Sequence, residues 1–137
     1  MKVIICGSIS AASDILKAKN QLVEQGHEVE IPEGVKHLGE WEGLDASSSE
    51  KARRKIEDDL IRGYYEAMKT YDAVLVVNPE KKSIPGYIGG NTLIEMAFAH
   101  VLKKKLCCVN PLPDISYRAE LEAVQPMILN GNLSALL

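Results

Sequence analysis

The stretch that decides the fold runs from Asp72 to Lys103 and reads DAVLVVNPEKKSIPGYIGGNTLIEMAFAHVLK. Its first seven residues are apolar through the middle and rich in β-branched side chains, which predicts a strand buried on both faces. Asp72 itself is interpreted as a turn residue before this strand. A glycine-bearing loop follows, and the apolar segment from Asn91 to about Lys104 predicts a helix. This order of strand, loop and helix is typical of one unit of a parallel sheet.

The rest of the chain repeats the alternation of short apolar runs with helical patterns. A parallel sheet covered by helices on both faces accounts for such an alternation. We therefore predict a single α/β domain over residues 1–137, with a doubly wound, flavodoxin-like sheet of five parallel strands flanked by helices. The further predicted strands run from Lys2 to Cys6, Val29 to Ile31, Leu106 to Asn110 and Met127 to Leu129, and the further predicted helices from Ala12 to Glu24, Glu50 to Thr70 and Tyr117 to Val124.

The composition excludes several classes of protein. A net charge of −3 argues against a nucleic-acid polymer or a membrane surface as partner, because proteins that track phosphates normally carry a basic excess. The early apolar run from Val3 to Cys6 is too short for a signal peptide or a membrane span. The three cysteines lie in strand-like runs without metal-binding spacing, which predicts reduced thiols, no metal and no cofactor. We expect a cytoplasmic protein whose ligand is a small molecule.

A doubly wound sheet binds ligands at the carboxyl ends of its strands, near the point where the strand order switches. This rule selects Gly7 and Ser8 after the first strand, the connection after the second strand, and residues 78–91 after the third. In the third segment, Gly86, Gly89 and Gly90 are expected to allow positive φ angles and close approach of a ligand, and the helix start that follows favours an anion. The connection after the second strand carries Trp41, interpreted as either a lid over the site or an anchor of that loop.

Glu95 is the candidate catalytic residue. It shares a helix face with Asn91 and Thr92, because the spacings are three and four residues, and the rest of this helix is almost wholly apolar. An oriented carboxylate of this kind suits attack on an oxocarbenium-like carbon. An alternative stays open, since Thr92-Leu-Ile-Glu95 also matches a capping box, in which the glutamate only stabilises the helix start.

The same helix predicts an assembly. Between Leu93 and Leu102 its only polar residues are Glu95 and His100, so the helix lacks a solvated face. A second subunit is the simplest cover for such a surface. We therefore expect a homodimer or a higher homo-oligomer.

Three segments in this order resemble the nucleoside 2-deoxyribosyltransferase superfamily, which includes the 2'-deoxynucleoside 5'-phosphate N-hydrolases. They are the run Cys6-Gly7-Ser8-Ile9, the strand that begins at Asp72, and the glycine loop that leads to Glu95. The resemblance implies that Glu95 attacks C1' of deoxyribose and forms a glycosyl-enzyme intermediate, from which water or a second base accepts the sugar. It also implies a site completed by a neighbouring subunit and a nucleoside or nucleotide as ligand. The candidate substrate-binding residues are Gly7, Ser8, Ile9, Gly89, Gly90, Asn91 and Thr92.

The chain departs from the pattern of that superfamily at three positions. Ser10 stands where the hydrolases have Arg, Tyr64 where the family has Asp, and Gly89 where it has Ser or Asp. These differences keep a second class in view, a non-catalytic nucleotide-binding or sensor protein. A phosphoribohydrolase of the cytokinin-activating type is a further alternative, although its PGGxGT pattern is not present here.

Overall fold

The computed structural model describes residues 1–36 and 59–136. Trp41 and the first part of the helix predicted from Glu50 to Thr70 lie outside these residues. Within them, the strands are β1 (Lys2–Cys6), β2 (Glu28–Glu30), β3 (Ala73–Val76), β4 (Lys105–Cys108) and β5 (Met127–Ile128). The described helices are α1 (Ala12–Glu24), α2 (Glu33–Lys36), α3 (Leu60–Met68), α4 (Gly90–Val101) and α5 (Arg118–Ala123), with 3-10 turns at Ile9–Ala11 and Leu133–Leu136.

The described strands form one five-stranded sheet in the order β2-β1-β3-β4-β5, and every neighbouring pair is parallel. This is the flavodoxin-like order, so the predicted fold class is confirmed. From β1 the chain moves first outward to β2 and then back across β1 to β3. The switch point therefore lies between the carboxyl ends of β1 and β3, where Cys6 pairs with Val76.

Alternate side chains of the strands build two apolar layers, because successive residues of a strand point to opposite faces. On one face α1 and the 3-10 turn Leu133–Leu136 cover β1, β3 and β4. On the other face the sheet packs against α3, α4 and α5. The second layer contains Ile4, Cys6, Val74, Val76, Leu106 and Cys108 from the strands, with Tyr64, Met68, Met96, Ala99 and Leu121 from the helices.

The observed bounds differ from the predicted ones at a few ends. The third strand stops at Val76, and α4 begins at Gly90 and ends at Val101, before Lys103 takes a positive φ of 57°. The short helix α2 was not predicted, since four residues carry too little periodicity to be recognised. Among the described helices, none is long and apolar enough to cross a membrane.

Candidate functional site

The loops after β1 and β3 lie against each other at the switch point. The N–H of Val77 donates to the carbonyl of Cys6 at 2.9 Å. A Cβ at position 7 would stand 2.9 Å from the carbonyl oxygen of Val77 and 3.1 Å from Cδ1 of Ile15. Gly7 therefore permits the close approach of the two loops, which is a packing role beside the binding role that its position suggests.

Ser8 and Ile9 form the open rim of this edge. The Oγ atoms of Ser8 and Ser10 lie 2.7 Å apart, which holds the turn that begins at Ile9. Ile9 is 48% exposed, so an apolar side chain faces solvent directly after the switch point. The predicted residues of the first loop are thus accessible to a ligand.

Glu95 lies in the second turn of α4 and is buried, with 7% of its surface exposed. Its Oε1 accepts a hydrogen bond from Nδ2 of Asn91 at 3.1 Å, so the predicted shared helix face is confirmed. The Glu95 carboxylate lies near the Cys6 thiol, since its charge contributes to the raised pKa of that thiol. Because Cys6 is the last residue of β1, this proximity brings the carboxylate to the switch point.

The environment of Glu95 also keeps Cys6 protonated. Burial raises the pKa of the Cys6 thiol well above its ordinary value, and the charge of Glu95 and the hydrogen bond to it raise this pKa further. Cys6 is fully buried. The thiol therefore keeps its proton and is not a competing nucleophile.

Tyr64 occupies the position where the resembled family has Asp. Its ring is buried and its hydroxyl donates to the carbonyl of Ile5. Burial raises the pKa of the Tyr64 phenol well above its ordinary value, with smaller contributions from Cys6 and Glu95. Tyr64 therefore belongs to the apolar layer that contains Cys6 and Met96, and its hydroxyl proton is engaged by the backbone of β1.

The capping-box alternative for Glu95 is wrong. It requires Thr92 at the N-cap and Glu95 three residues later, whereas α4 begins at Gly90 with Gly89 as its N-cap. Thr92 is already helical and buried at 4% exposure. The sequence pattern matched the spacing of a capping box, but the motif lies one turn inside the helix.

The glycines before α4 have different roles from those expected. Gly86 alone among Gly86, Gly89 and Gly90 takes a positive φ, of 69°. Gly89 has a φ of −83°, which any residue can adopt, and a Cβ at Gly90 would meet no atom within 4 Å. Gly90 therefore leaves open space at the helix start, whereas a Cβ at Gly89 would lie 3.5 Å from the ring of Tyr87. The expectation of a left-handed backbone at these two glycines is wrong.

Asn78 anchors the loop that carries these glycines, and it was not predicted as a site residue. It is 1% exposed, and its Nδ2 donates to the carbonyls of Gly86 at 3.3 Å and Asn110 at 3.0 Å. Asn110 returns bonds from its N–H and its Nδ2 to Asn78. The sequence contains a signal for this pair, since Val-Asn-Pro directly follows both β3 (residues 77–79) and β4 (residues 109–111).

Tyr117 supplies a further anchor for the same loop. Its hydroxyl donates to the carbonyl of Ile88, just before the start of α4. Together with Asn78, this bond fixes the loop to the segment between β4 and α5. The loop that leads into α4 is therefore held by residues that follow β3 and β4.

Two polar residues, Asp72 and His100, lie away from this edge. Oδ2 of Asp72 accepts from the N–H of Lys2 at 2.8 Å, at the amino end of the sheet, as its interpretation as a turn residue implied. His100 is exposed on α4, away from Glu95. Within residues 1–36 and 59–136, no group of three His, Cys, Asp or Glu side chains is arranged to hold a metal ion.

Cys108, which lies in the apolar layer under α3, α4 and α5, should lower the free energy of unfolding at alkaline pH. Burial, with a smaller effect from Cys107, raises the pKa of Cys108 from 9.0 to about 12. The unfolded state loses this proton first, so stability falls as the pH rises between these values. A Cys108→Ala variant should lose less stability than the wild type between about pH 8 and about pH 11, by roughly 2–3 kcal/mol. Denaturant unfolding across this range measures the difference, and parallel curves for the two proteins would contradict it.

The fold and the buried carboxylate at its switch point define an α/β protein with a candidate small-molecule site at the carboxyl edge of the sheet. Comparisons of the chain with family models, with curated proteins and with solved structures found no match. The function is therefore argued from the site itself.

Proposed function

We propose that the protein cleaves or transfers the N-glycosidic bond of 2'-deoxynucleosides or their 5'-monophosphates, with Glu95 as the nucleophile. The observation that carries the proposal is the placement of Glu95, which is buried beside the end of β1 and accepts a hydrogen bond from Asn91. Because α4 begins at Gly90, Glu95 lies too far into the helix to cap its start. A buried, oriented carboxylate at a switch point is suited to a carbon that develops positive charge.

The reaction begins with attack of a Glu95 oxygen on C1' of the deoxyribose. The C1'–O bond forms as the C1'–N bond breaks, and the electron pair of the broken bond goes to the base nitrogen, which takes a proton from solvent. The carboxylate charge offsets the positive charge that develops on the sugar ring. In the second step water, or the nitrogen of another base, attacks C1' and frees Glu95, and the proton of the incoming nucleophile is released.

The surroundings of Glu95 suit the other parts of such a substrate. The first turn of α4 leaves N–H groups without partners inside the helix, and these favour the 5' phosphate or hydroxyl end of a nucleotide. The space beside Gly90 admits that group. The rim formed by Ser8 and Ile9 offers a hydroxyl to the sugar and an apolar surface to the base.

The test is an assay of base release. The purified protein is incubated with each common deoxynucleoside, its 5'-monophosphate and the matching ribonucleoside 5'-monophosphate, and free base is followed by chromatography. We expect release from the deoxy substrates. Release from ribonucleotides alone would point to a phosphoribohydrolase, and thermal stabilisation by a nucleotide without release would point to a binding or sensor protein.

We also propose that a second copy of the chain covers an apolar patch on α3 and α4. This α3–α4 patch consists of Ile61, Tyr65, Ile94, Phe98 and Val101. Ile61 and Ile94 are each 40% exposed and Val101 is 72% exposed. The rings of Tyr65 and Phe98 meet edge to face with centroids 4.9 Å apart, which joins the two helices into one surface. In the single chain α4 therefore exposes apolar side chains, which a covering subunit would remove from water.

A Val101→Glu variant should weaken this assembly. Each copy contributes the same patch to a twofold interface, so the change places two carboxylates against apolar surface. We expect the dissociation constant to rise at least roughly a hundredfold. Light scattering coupled to gel filtration measures the mass in solution. Val23→Glu is the matched control, since Val23 is 50% exposed on α1, across the sheet. Equal effects of both variants, or a monomeric wild type, would contradict the proposal.

A further inference from the structure

We propose that a groove beside α1, across the sheet from Glu95, binds a small aliphatic α-amino acid through its ammonium and carboxylate groups. The groove has a volume of about 190 Å³ and is lined by Val77 and Val109, which directly follow β3 and β4. It therefore lies at the carboxyl edge of the sheet, where parallel α/β sheets bind their ligands. None of the residues proposed for base release lines it, so the inference stands apart from the proposed function.

The floor of the groove is apolar. Ala18, Val77 and Leu133 are buried residues of the layer under α1, and Val109 packs against the same layer. Ala18 has the smallest side chain of these, so the helix leaves depth at this point. Because α4 packs on the opposite face of the sheet, the groove is a separate site and not an extension of the one around Glu95.

The size of the groove limits its ligand. A dry cavity of about 150 Å³ takes up benzene, so a groove of about 190 Å³ suits a molecule of roughly eight to ten non-hydrogen atoms. Leucine and isoleucine fall within that range, and a nucleoside is too large. A branched aliphatic side chain also matches a floor of valine, alanine and leucine, because it removes their apolar surface from water.

The rim of the groove carries two opposite charges. Asp14 and Lys17 lie about one turn apart on α1, and Gln21 lies one turn further on, so the three share one stripe of the helix. In the part of the chain that the structure describes, neither Asp14 nor Lys17 forms an ion pair or a side-chain hydrogen bond. An α-amino acid supplies both partners at once, a carboxylate for Lys17 and an ammonium group for Asp14.

The opposite wall supplies a fixed polar group. The backbone N–H and Nδ2 of Asn110 donate to Asn78 at 3.0 and 3.1 Å, which holds the side chain in place and leaves its Oδ1 as an acceptor for the ammonium group. On the same wall, the N–H of Gly131 donates to the carbonyl of Val109 at 2.9 Å. The wall is therefore formed before the ligand arrives, and binding orders few further groups.

The binding test is a titration with L-leucine, followed by two-dimensional proton–nitrogen NMR of the full chain. We expect saturable shifts of the amide signals of Ala18, Val109 and Gly131, with a dissociation constant of roughly 0.1–1 mM. Failure to saturate by about 20 mM L-leucine, or shifts confined to the residues around Glu95, would overturn the proposal.

Two analogues of leucine test the recognition of both charges. Isocaproate lacks the ammonium group and isoamylamine lacks the carboxylate, while both keep the branched side chain. Each should bind roughly five- to tenfold more weakly than L-leucine, because one charged contact is lost. Equal affinity for either analogue would contradict a site built for an α-amino acid.

Lys17→Gln removes the cation that receives the carboxylate and should weaken L-leucine binding by roughly three- to tenfold. Lys19→Gln is the matched control, since it makes the same change on α1 at a residue that does not line the groove. Both variants should fold, because neither lysine forms an ion pair or a side-chain hydrogen bond within the described residues. Wild-type affinity in Lys17→Gln, or the same loss in both variants, would overturn the assignment. An absence of base release leaves this test unaffected.

Discussion

A Glu95→Gln variant is expected to release base at least about a thousandfold more slowly than the wild type. Gln keeps the volume and shape of the side chain, but its amide oxygen does not form a stable ester with C1' and does not carry the charge that offsets an oxocarbenium ion. The cost to folding should be small, since Glu95 is not the N3 residue of a capping box. Initial rates by chromatography, normalised to the folded fraction by circular dichroism, measure the effect.

Glu122→Gln is the matched control for this variant. This variant makes the same replacement of Glu by Gln on the exposed surface of α5, where Glu122 forms an ion pair with Arg118 at 2.9 Å. Exposed pairs of this kind contribute little to stability, so neither folding nor base release should change. If Glu95→Gln retained the wild-type rate of base release, the carboxylate of Glu95 would have no part in the reaction.

Gly86→Ala is expected to destabilise the protein by roughly 2–5 kcal/mol. Its backbone has a φ of 69°, and an added Cβ would stand 2.2 Å from the carbonyl oxygen of Pro111. The side-chain amide of Asn78 donates to the carbonyl of Gly86 at 3.3 Å and to that of Pro111 at 3.4 Å, so neither side is free to move away. The loop before α4 should therefore open, with loss of stability and of base release. Denaturant unfolding measures the first effect.

Gly63→Ala separates this steric effect from a general response to replacing glycine. Gly63 lies in α3, and a Cβ there would meet no atom within 4 Å. An alanine inside a helix is favoured over glycine, so this variant should be as stable as the wild type or up to about 1 kcal/mol more stable. A Gly86→Ala protein with wild-type stability would show that the loop is not held as described.

Much of the fold could be predicted because the sequence marks its element ends chemically. The bounds of β1 and α1 were predicted residue for residue, since Gly7 and Gly26 interrupt the apolar run and the helical pattern. The start of α4 was missed by one residue, because glycine is a poor helix former and the pattern did not indicate it as the first helical residue.

The element that carries Glu95 could be predicted, but the contacts of its side chain could not. The rule for parallel sheets placed the start of this helix at the carboxyl edge, because the helix follows β3. The proximity of Cys6 to Glu95 depends on which strand lies next to β3, and nothing local to either residue indicates it. The hydrogen bonds between Asn78 and Asn110 also join residues far apart in the sequence, although the repeated Val-Asn-Pro could have indicated them.

The most direct test of the central claim is the detection of the covalent intermediate. The protein is mixed with a reactive deoxynucleoside 5'-monophosphate, quenched with acid within the first turnovers, digested with trypsin and analysed by mass spectrometry. The account predicts one added deoxyribosyl phosphate on the peptide of residues 83–103, at Glu95, and none in Glu95→Gln. Base release by the wild type with no adduct at Glu95, or an adduct that persists on another residue of the variant, would contradict it.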